Sequence, residues 1–200
     1  MQCTSNRPAQ DDQARRRLLL QFAAGTVLGS LPLWALAAAD DTFDQDSTLK
    51  AATDFFGETT EGLAKVIEKA FREQGRPNGY LRGSEVSGAL TVGLRYGEGE
   101  LTLKNGAHSK VFWAGPSIGF DAGANASKVF VLAYKLPNTE AIYRRFPGVD
   151  GSLYYVGGAG INYQHADGIT LAPIRLGVGL RAGASVGYMH YRKDKSLNPL

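Results

Sequence analysis

The hydrophobic pattern of the chain changes period near Tyr80. Before that point, in TTEGLAKVIEKAFREQGRP, the residues Leu63, Val66, Ile67, Ala70 and Phe71 recur three and four apart, which draws one apolar stripe down a helix. The opposite face is charged in register: Glu61 and Lys65, Glu68 and Arg72, and Lys69 and Glu73 are each four apart. Each such pair contributes a few tenths of a kcal/mol. Gly75 and Pro77 supply the stop. From Tyr80 onward the period is two, and glycines separate short runs rich in β-branched and aromatic residues, such as GALTVGLRYGEGELTLK, SKVFVLAYKL and GSLYYVGGAGINYQ. Several strands at short spacing predict a barrel or a sandwich. One stretch, NTEAIYRRFPG, breaks the rhythm and predicts a short helix between strands, with Asn138 as N-cap and Pro147 closing it. The acidic, polar stretch 40–54, DTFDQDSTLKAATD after its first residue, has few groups to bury and is expected to be a flexible lead-in.

The run RLGVGLRAGASVGYMHY raises the question of a nucleotide site. A dinucleotide cradle needs its glycines at a strand-to-helix turn, and no helix pattern follows here; a P-loop signature is also missing. Alternation instead sorts Ile174, Leu176, Val178, Leu180 and Val186 onto one face and Arg175, Gly177, Gly179, Arg181 and Gly183 onto the other. That pattern predicts a bending strand with the apolar face inward, its glycines permitting sharp coiling. A sheet so rich in small residues can curl and close. The same sorting sets Arg95 opposite Leu94 and Tyr96. Arg95, Arg175 and Arg181 are therefore expected to point outward, either into water or into a shallow basic groove able to take an anionic head group, with Trp113 as an apolar lining. These four are the candidate ligand-binding residues.

Charge and chemistry narrow the function. Of 22 basic and 19 acidic residues, four basic ones and two acidic ones precede residue 40, so most of the formal charge of +3 arises there and the remainder is nearly balanced. A nucleic-acid surface, which needs a basic face, is not expected. Residues 1–39 read as an export signal: Arg15-Arg16-Arg17, an apolar run from Leu18 to Leu36, then Ala37-Ala38-Ala39 with cleavage before Asp40. The arginines fit a general or a twin-arginine route. The lone Cys3 precedes the apolar run, so a chain cleaved after Ala39 has no cysteine and no disulfide framework. His108, His165 and His190 have no partner at metal spacing, no nucleophile elbow occurs, and Glu98 with Glu100 reads as a pair of solvated turn carboxylates. No catalytic residue, metal or cofactor is expected, and an enzyme acting on an envelope polymer is the competing reading.

The segments FFGETTEGLAKVIEKAF, GLRYGEGELTLKNGAHSKVFWAGPSIGFDAG, NTEAIYRRFPGVDGSLYYVGGAGINY and LAPIRLGVGLRAGASVGYMHY, in this order, resemble the EipA-type proteins of alphaproteobacteria, a domain of unknown function named for cell-envelope integrity. The resemblance runs from about Phe55 to Tyr191. It implies a mainly β fold, a small closed antiparallel barrel of about eight strands over 55–192 with one amphipathic N-terminal helix, followed by a tail over 193–200. It further implies a soluble periplasmic protein, peripheral to a membrane at most. Its function would be non-enzymatic support of the envelope, with a lipid, a glycan or an envelope protein as candidate partner. The family brings no catalytic residues to carry over.

Overall fold

The computed structural model describes residues 41–89, 92–118, 121–149, 152–177 and 188–195. The chain divides into two units, Met1–Ala38 and Ala39–Leu200, and every described residue lies in the second. The expected cleavage site at Ala39 and Asp40 falls outside the described residues.

Two helices open the unit. The first, α1 (Gln45–Phe56), stands where the acidic composition suggests a flexible lead-in. Its start is fixed by Asp44, whose carboxylate accepts from the Ser47 backbone N–H at 2.8 Å. Its end is fixed by Gly57 in the left-handed region, at φ 87°. This corrects the expectation: capping supplies the boundaries, and Ala52, with Leu49, Phe55 and Phe56, supplies enough apolar surface to dock. The second helix, α2 (Glu61–Gln74), follows the periodicity closely. Leu63, Val66, Ile67 and Ala70 are fully buried. Lys65 pairs with Glu61, Arg72 with Glu68 and Lys69 with Glu73.

The strands are β1 (Gly79–Ala89), β2 (Val92–Leu103), β3 (His108–Ile118), β4 (Asp121–Tyr134), β5 (Arg145–Pro147), β6 (Tyr154–Val156), β7 (Ala159–Ile161), β8 (Gln164–Ala166), β9 (Ile169–Leu176) and β10 (Tyr188–Arg192). The short helix between strands is a 3-10 turn over Thr139–Ile142, capped by the Asn138 side chain accepting from the Ala141 N–H at 3.0 Å. All pairings are antiparallel, in the order β5-β10-β3-β2-β1-β4-β9-β7-β6, with β8 also on β9. The described strands thus number ten, not about eight. Among the described residues their ladder curls without closing: β5 and β6 are its ends, and a bridge joins Gly148, beside β5, to Gln164 of β8. The tight coiling that glycine content predicts is present; full closure is not shown among the described residues.

Two apolar clusters lie on opposite sides of this curled sheet. Inside it, Leu81, Leu101, Val111, Trp113, Val129, Val131, Phe146, Leu171, Met189 and Tyr191 pack together. Outside, the two helices cover Phe130, Leu132, Ala172, Ile174 and Ile161. Residues 129–134 of β4, and β9, are therefore buried on both faces, which is why VFVLAY reads as a continuous apolar run and not an alternating one. Ile174, expected to face inward, faces the helices instead, and its neighbour Arg175 takes the inner side.

The helix pair approaches the sheet where Gly62 meets the β6–β7 turn. A Cβ at Gly62 would lie 2.4 Å from the carbonyl oxygens of both Val156 and Gly157. Gly62→Ala thus sets a helix-propensity gain of about 1 kcal/mol against a clash with main chain that cannot swing aside. Overpacking of this kind costs roughly 1–3 kcal/mol, so the expected result is a net loss of stability. Urea midpoints of the two proteins decide the sign.

Candidate functional site

Three of the four candidate residues meet, but inside the sheet. On β1 the inward series runs Leu81, Gly83, Glu85, so the inward alternation that begins with a leucine ends with an acid. Glu85 pairs with Gly97 of β2, which pairs with Trp113 of β3. Arg175 reaches the same carboxylate from β9: its Nε donates to Oε1 at 2.6 Å and its Nη2 to Oε2 at 3.2 Å, a two-pronged bond. Arg95 Nε lies 3.6 Å from Oε1, and Trp113 Nε1 donates to Oε2 at 3.4 Å. Arg175 Nη1 also donates to Asn162 Oδ1 at 3.4 Å. Exposure of Glu85, Arg95 and Arg175 is 2%, 7% and 8%.

The outward orientation expected of Arg95 and Arg175 is therefore corrected, and Trp113 lines the interior, not an open basic groove. Alternation separates two faces without saying which one is concave. Inside a tightly curled sheet space is short, and glycine supplies it: a Cβ on Gly97 would lie 2.1–2.4 Å from three atoms of the Trp113 indole, and one on Gly83 2.6 Å from its far edge. The glycines make room for the indole and the guanidinium groups. Arg181 falls outside the described residues. The residue that sequence reasoning missed is Glu85: period-two counting in LRGSE puts it on the face of Leu81, opposite Arg82, and only its pairing with Gly97 brings it to the side of Arg95.

Electrostatically the cluster is self-contained. Burial pushes the Glu85 carboxyl up, but Arg175 and then Arg95 outweigh it and hold the group below its ordinary value. Burial works against the Arg175 charge, and Glu85 more than restores it. Tyr191, its ring tilted against Trp113 with centroids 6.1 Å apart, donates its hydroxyl to Gln164 at 3.0 Å; burial raises its phenol well above the usual range. A carboxylate held ionised by two cations is a poor general acid or base at neutral pH.

The outer surface offers more room. A groove of about 690 Å³ runs across β1–β3 beside the end of α1, lined among others by Phe55, Arg82, Glu98, Glu100, Lys110 and Lys128. Lys128 caps α1, donating to the Phe55 and Phe56 carbonyls at 2.9 and 3.2 Å. Arg82 lies 3.9 Å from Glu100, and Lys110 lies 4.0 Å from Glu98. His108 and Glu100 are 4.0 Å apart, and His108 Nδ1 is 3.3 Å from the Thr102 hydroxyl. His165 bonds the Thr170 hydroxyl, and His190 accepts from Arg192. Among the described residues no group of three or more His, Cys, Asp and Glu is arranged to hold a metal. No described helix is long and apolar enough to cross a membrane.

A curled antiparallel sheet with a helix pair on its outer wall and a packed, charge-neutralising interior defines a barrel-like β protein. The chain belongs to the envelope integrity protein A (EipA) family, whose model matches residues 41–200. The match begins ahead of α1, so the helix that composition conceals is part of the family's domain. A crystal structure described as a beta-barrel-like, uncharacterized protein from Brucella abortus is similar to this chain, with 42% identity and a TM-score of 0.73, covering 80% of this chain and 99% of that one. No curated protein matches.

Proposed function

We propose that the chain is a non-enzymatic, exported protein that works in the periplasm, where it supports the cell envelope by holding an envelope component against its outer surface. One observation carries this reading: where described, the interior is filled by packed side chains and its ionisable groups are engaged with each other, so contact chemistry is left to the outside. The family's role in envelope integrity supports the setting. The outer groove, with cations and carboxylates on one wall and Phe55 at its end, suits a polar, charge-bearing partner such as an envelope glycan or the surface of an envelope protein.

Complementation tests it. In cells lacking the protein, the wild-type chain is expected to restore growth in detergent, whereas Glu98→Lys combined with Glu100→Lys, both on the exposed outer face, is expected to fail while accumulating normally. Full rescue by that double variant would remove the groove from the function. Turnover of purified envelope polymer by the wild-type chain would replace the binding reading with an enzymatic one.

A further inference from the structure

Along β1–β3 the polarity of the sheet inverts. At the start of β1, the inner side holds Leu81, Leu101 and Val111, and the paired outer row is Arg82, Glu100 and Lys110. This is the arrangement of a barrel in water. Four residues further along β1, the inner side holds Glu85 with Arg95 and Arg175 brought to it, and the paired outer row is the exposed Val86, the half-buried Tyr96 and the buried Ala114. The next outer row holds Leu94 opposite Pro116. Polar inside and apolar outside is how a barrel wall meets lipid. Val86 and Leu94 are 46% and 41% exposed, high values for residues of their type.

The border of this strip is basic and aromatic. Across the Ala114 pairing lies His190, and across His190 lies Arg145; across Phe112 lies Arg192. Arg145 sits over the Tyr188 ring at 5.4 Å, and Lys110 over the Phe112 ring at 5.0 Å. Lys195 joins Val86, Tyr96, Phe112 and Glu98 around a hollow of about 220 Å³. Burial and the neighbouring Arg192 and Arg145 hold the His190 imidazole below its ordinary value, as a locally positive field requires. Glu98, an acid on this part of the wall, faces Lys110, and Asp194 precedes Lys195.

We propose that this part of the outer wall is a docking face for an anionic lipid leaflet. Val86, Leu94 and Pro116 enter the boundary between head groups and acyl chains, Tyr96, Phe112 and Tyr188 sit at head-group level, and Arg145, Arg192 and Lys195 meet lipid phosphates. The order apolar, aromatic, cationic is that of interfacial anchors, and the positive border selects anionic over zwitterionic lipid. The contact is peripheral and reversible, because the apolar strip is only a few residues wide. It deepens the envelope-support reading, on which it rests for its setting, by naming the surface on which the protein is held.

The test is flotation of the exported, purified protein with vesicles of phosphatidylglycerol and phosphatidylcholine, against vesicles of phosphatidylcholine alone. Binding to the first and not the second is expected, weakening as salt rises. Val86→Asp combined with Leu94→Asp, both at exposed positions that leave the core intact, is expected to reduce it by about tenfold or more, with an unchanged circular dichroism spectrum. Glu98→Lys is expected to bind at least as well as the wild type. Equal binding by the aspartate variant, or no wild-type binding to anionic vesicles, overturns the proposal. So does a wild-type dimer that the aspartate variant turns into a monomer without vesicle binding, since the occupant is then a second copy. Glu98 and Lys110 border both surfaces, but the groove variant removes negative charge and is expected to fail in complementation while still binding anionic vesicles, so either proposal can fail alone.

Discussion

Glu85→Ala is expected to lower the free energy of unfolding by about 3–5 kcal/mol, the range for removing one partner of a buried ion pair. The loss of attraction is the smaller part of the effect. Arg175 and Arg95 would remain inside the sheet, 8% and 7% exposed, with their shared carboxylate gone. Against a typical stability of about 5–15 kcal/mol, that is enough to reduce the amount of folded protein in cells. Urea unfolding at neutral pH reads it as a lower midpoint with the slope retained. Replacing all three charges together, as Glu85→Leu, Arg95→Met and Arg175→Met, is expected to cost far less than the single change, because no charge is then stranded. A pH dependence follows with a definite sign. The folded carboxyl titrates below its ordinary value of 4.5, so its contribution is complete above that value and is lost as the pH falls through the lower, folded-state value. The wild type should weaken more than the triple variant on acidification. A loss within about 0.5 kcal/mol for Glu85→Ala, the scale of an ordinary surface change, would mean that the carboxylate is not what holds the arginines.

Trp113→Ala is expected to cost a similar amount, about 3–5 kcal/mol, for a different reason. The indole lies against Gly97 and Gly83, and neither has a side chain that can move into the space left behind. Tyr191 and Glu85, its other neighbours, are tied by their own bonds to Gln164 and Arg175. The cavity therefore stays open. The reciprocal change, Gly97→Ala, drives a methyl group into the ring, and Gly83 behind its far edge prevents retreat, for a cost of roughly 1–3 kcal/mol. The two should not add. With the ring gone, the new methyl group fills part of its place, and the double variant is expected to be more stable than the sum of the singles by roughly 1 kcal/mol or more. Additive midpoints would show that ring and glycine do not share this space.

The sequence makes some of these features legible and hides others. Helix α2 is legible residue by residue, because its stripe and its charge pairs both follow the helical period. The strands from Tyr80 are legible as a curled sheet, and Asn138 marks the 3-10 turn by its cap. The helix α1 is hidden by composition: only Asp44 and Gly57 at its ends and a sparse set of Ala and Phe positions distinguish it from a polar linker. The orientation of Arg95 and Arg175 is hidden more deeply. Period two places them with the glycines, and ordinary experience of open sheets puts the apolar face inward. Here two helices cover the outside of β4 and β9, so Phe130 and Ile174 are buried there, while beside the Trp113 indole the inside is left to glycines and to charges that neutralise one another. Which face is concave is a property of the whole sheet, and no single strand encodes it.

The position of β10 governs when the molecule can be completed. This strand, which follows every other described strand in the sequence, lies between β3 and β5 and bonds to both: Tyr191 opposite Trp113, and Met189 opposite Phe146. Until it arrives, β5 has no described ladder partner and the wall has a gap beside the indole. A chain delivered from its N-terminus can assemble β1 with β2, β3 and β4 early, since those pairings need nothing beyond Tyr134. The step that adds β10 waits for Tyr188 to Arg192 and joins segments far apart in the chain, which makes it the slow, non-local step of assembly. A nascent chain held short of Tyr188 should accordingly remain sensitive to protease around β5, and become resistant in a single step once β10 is released.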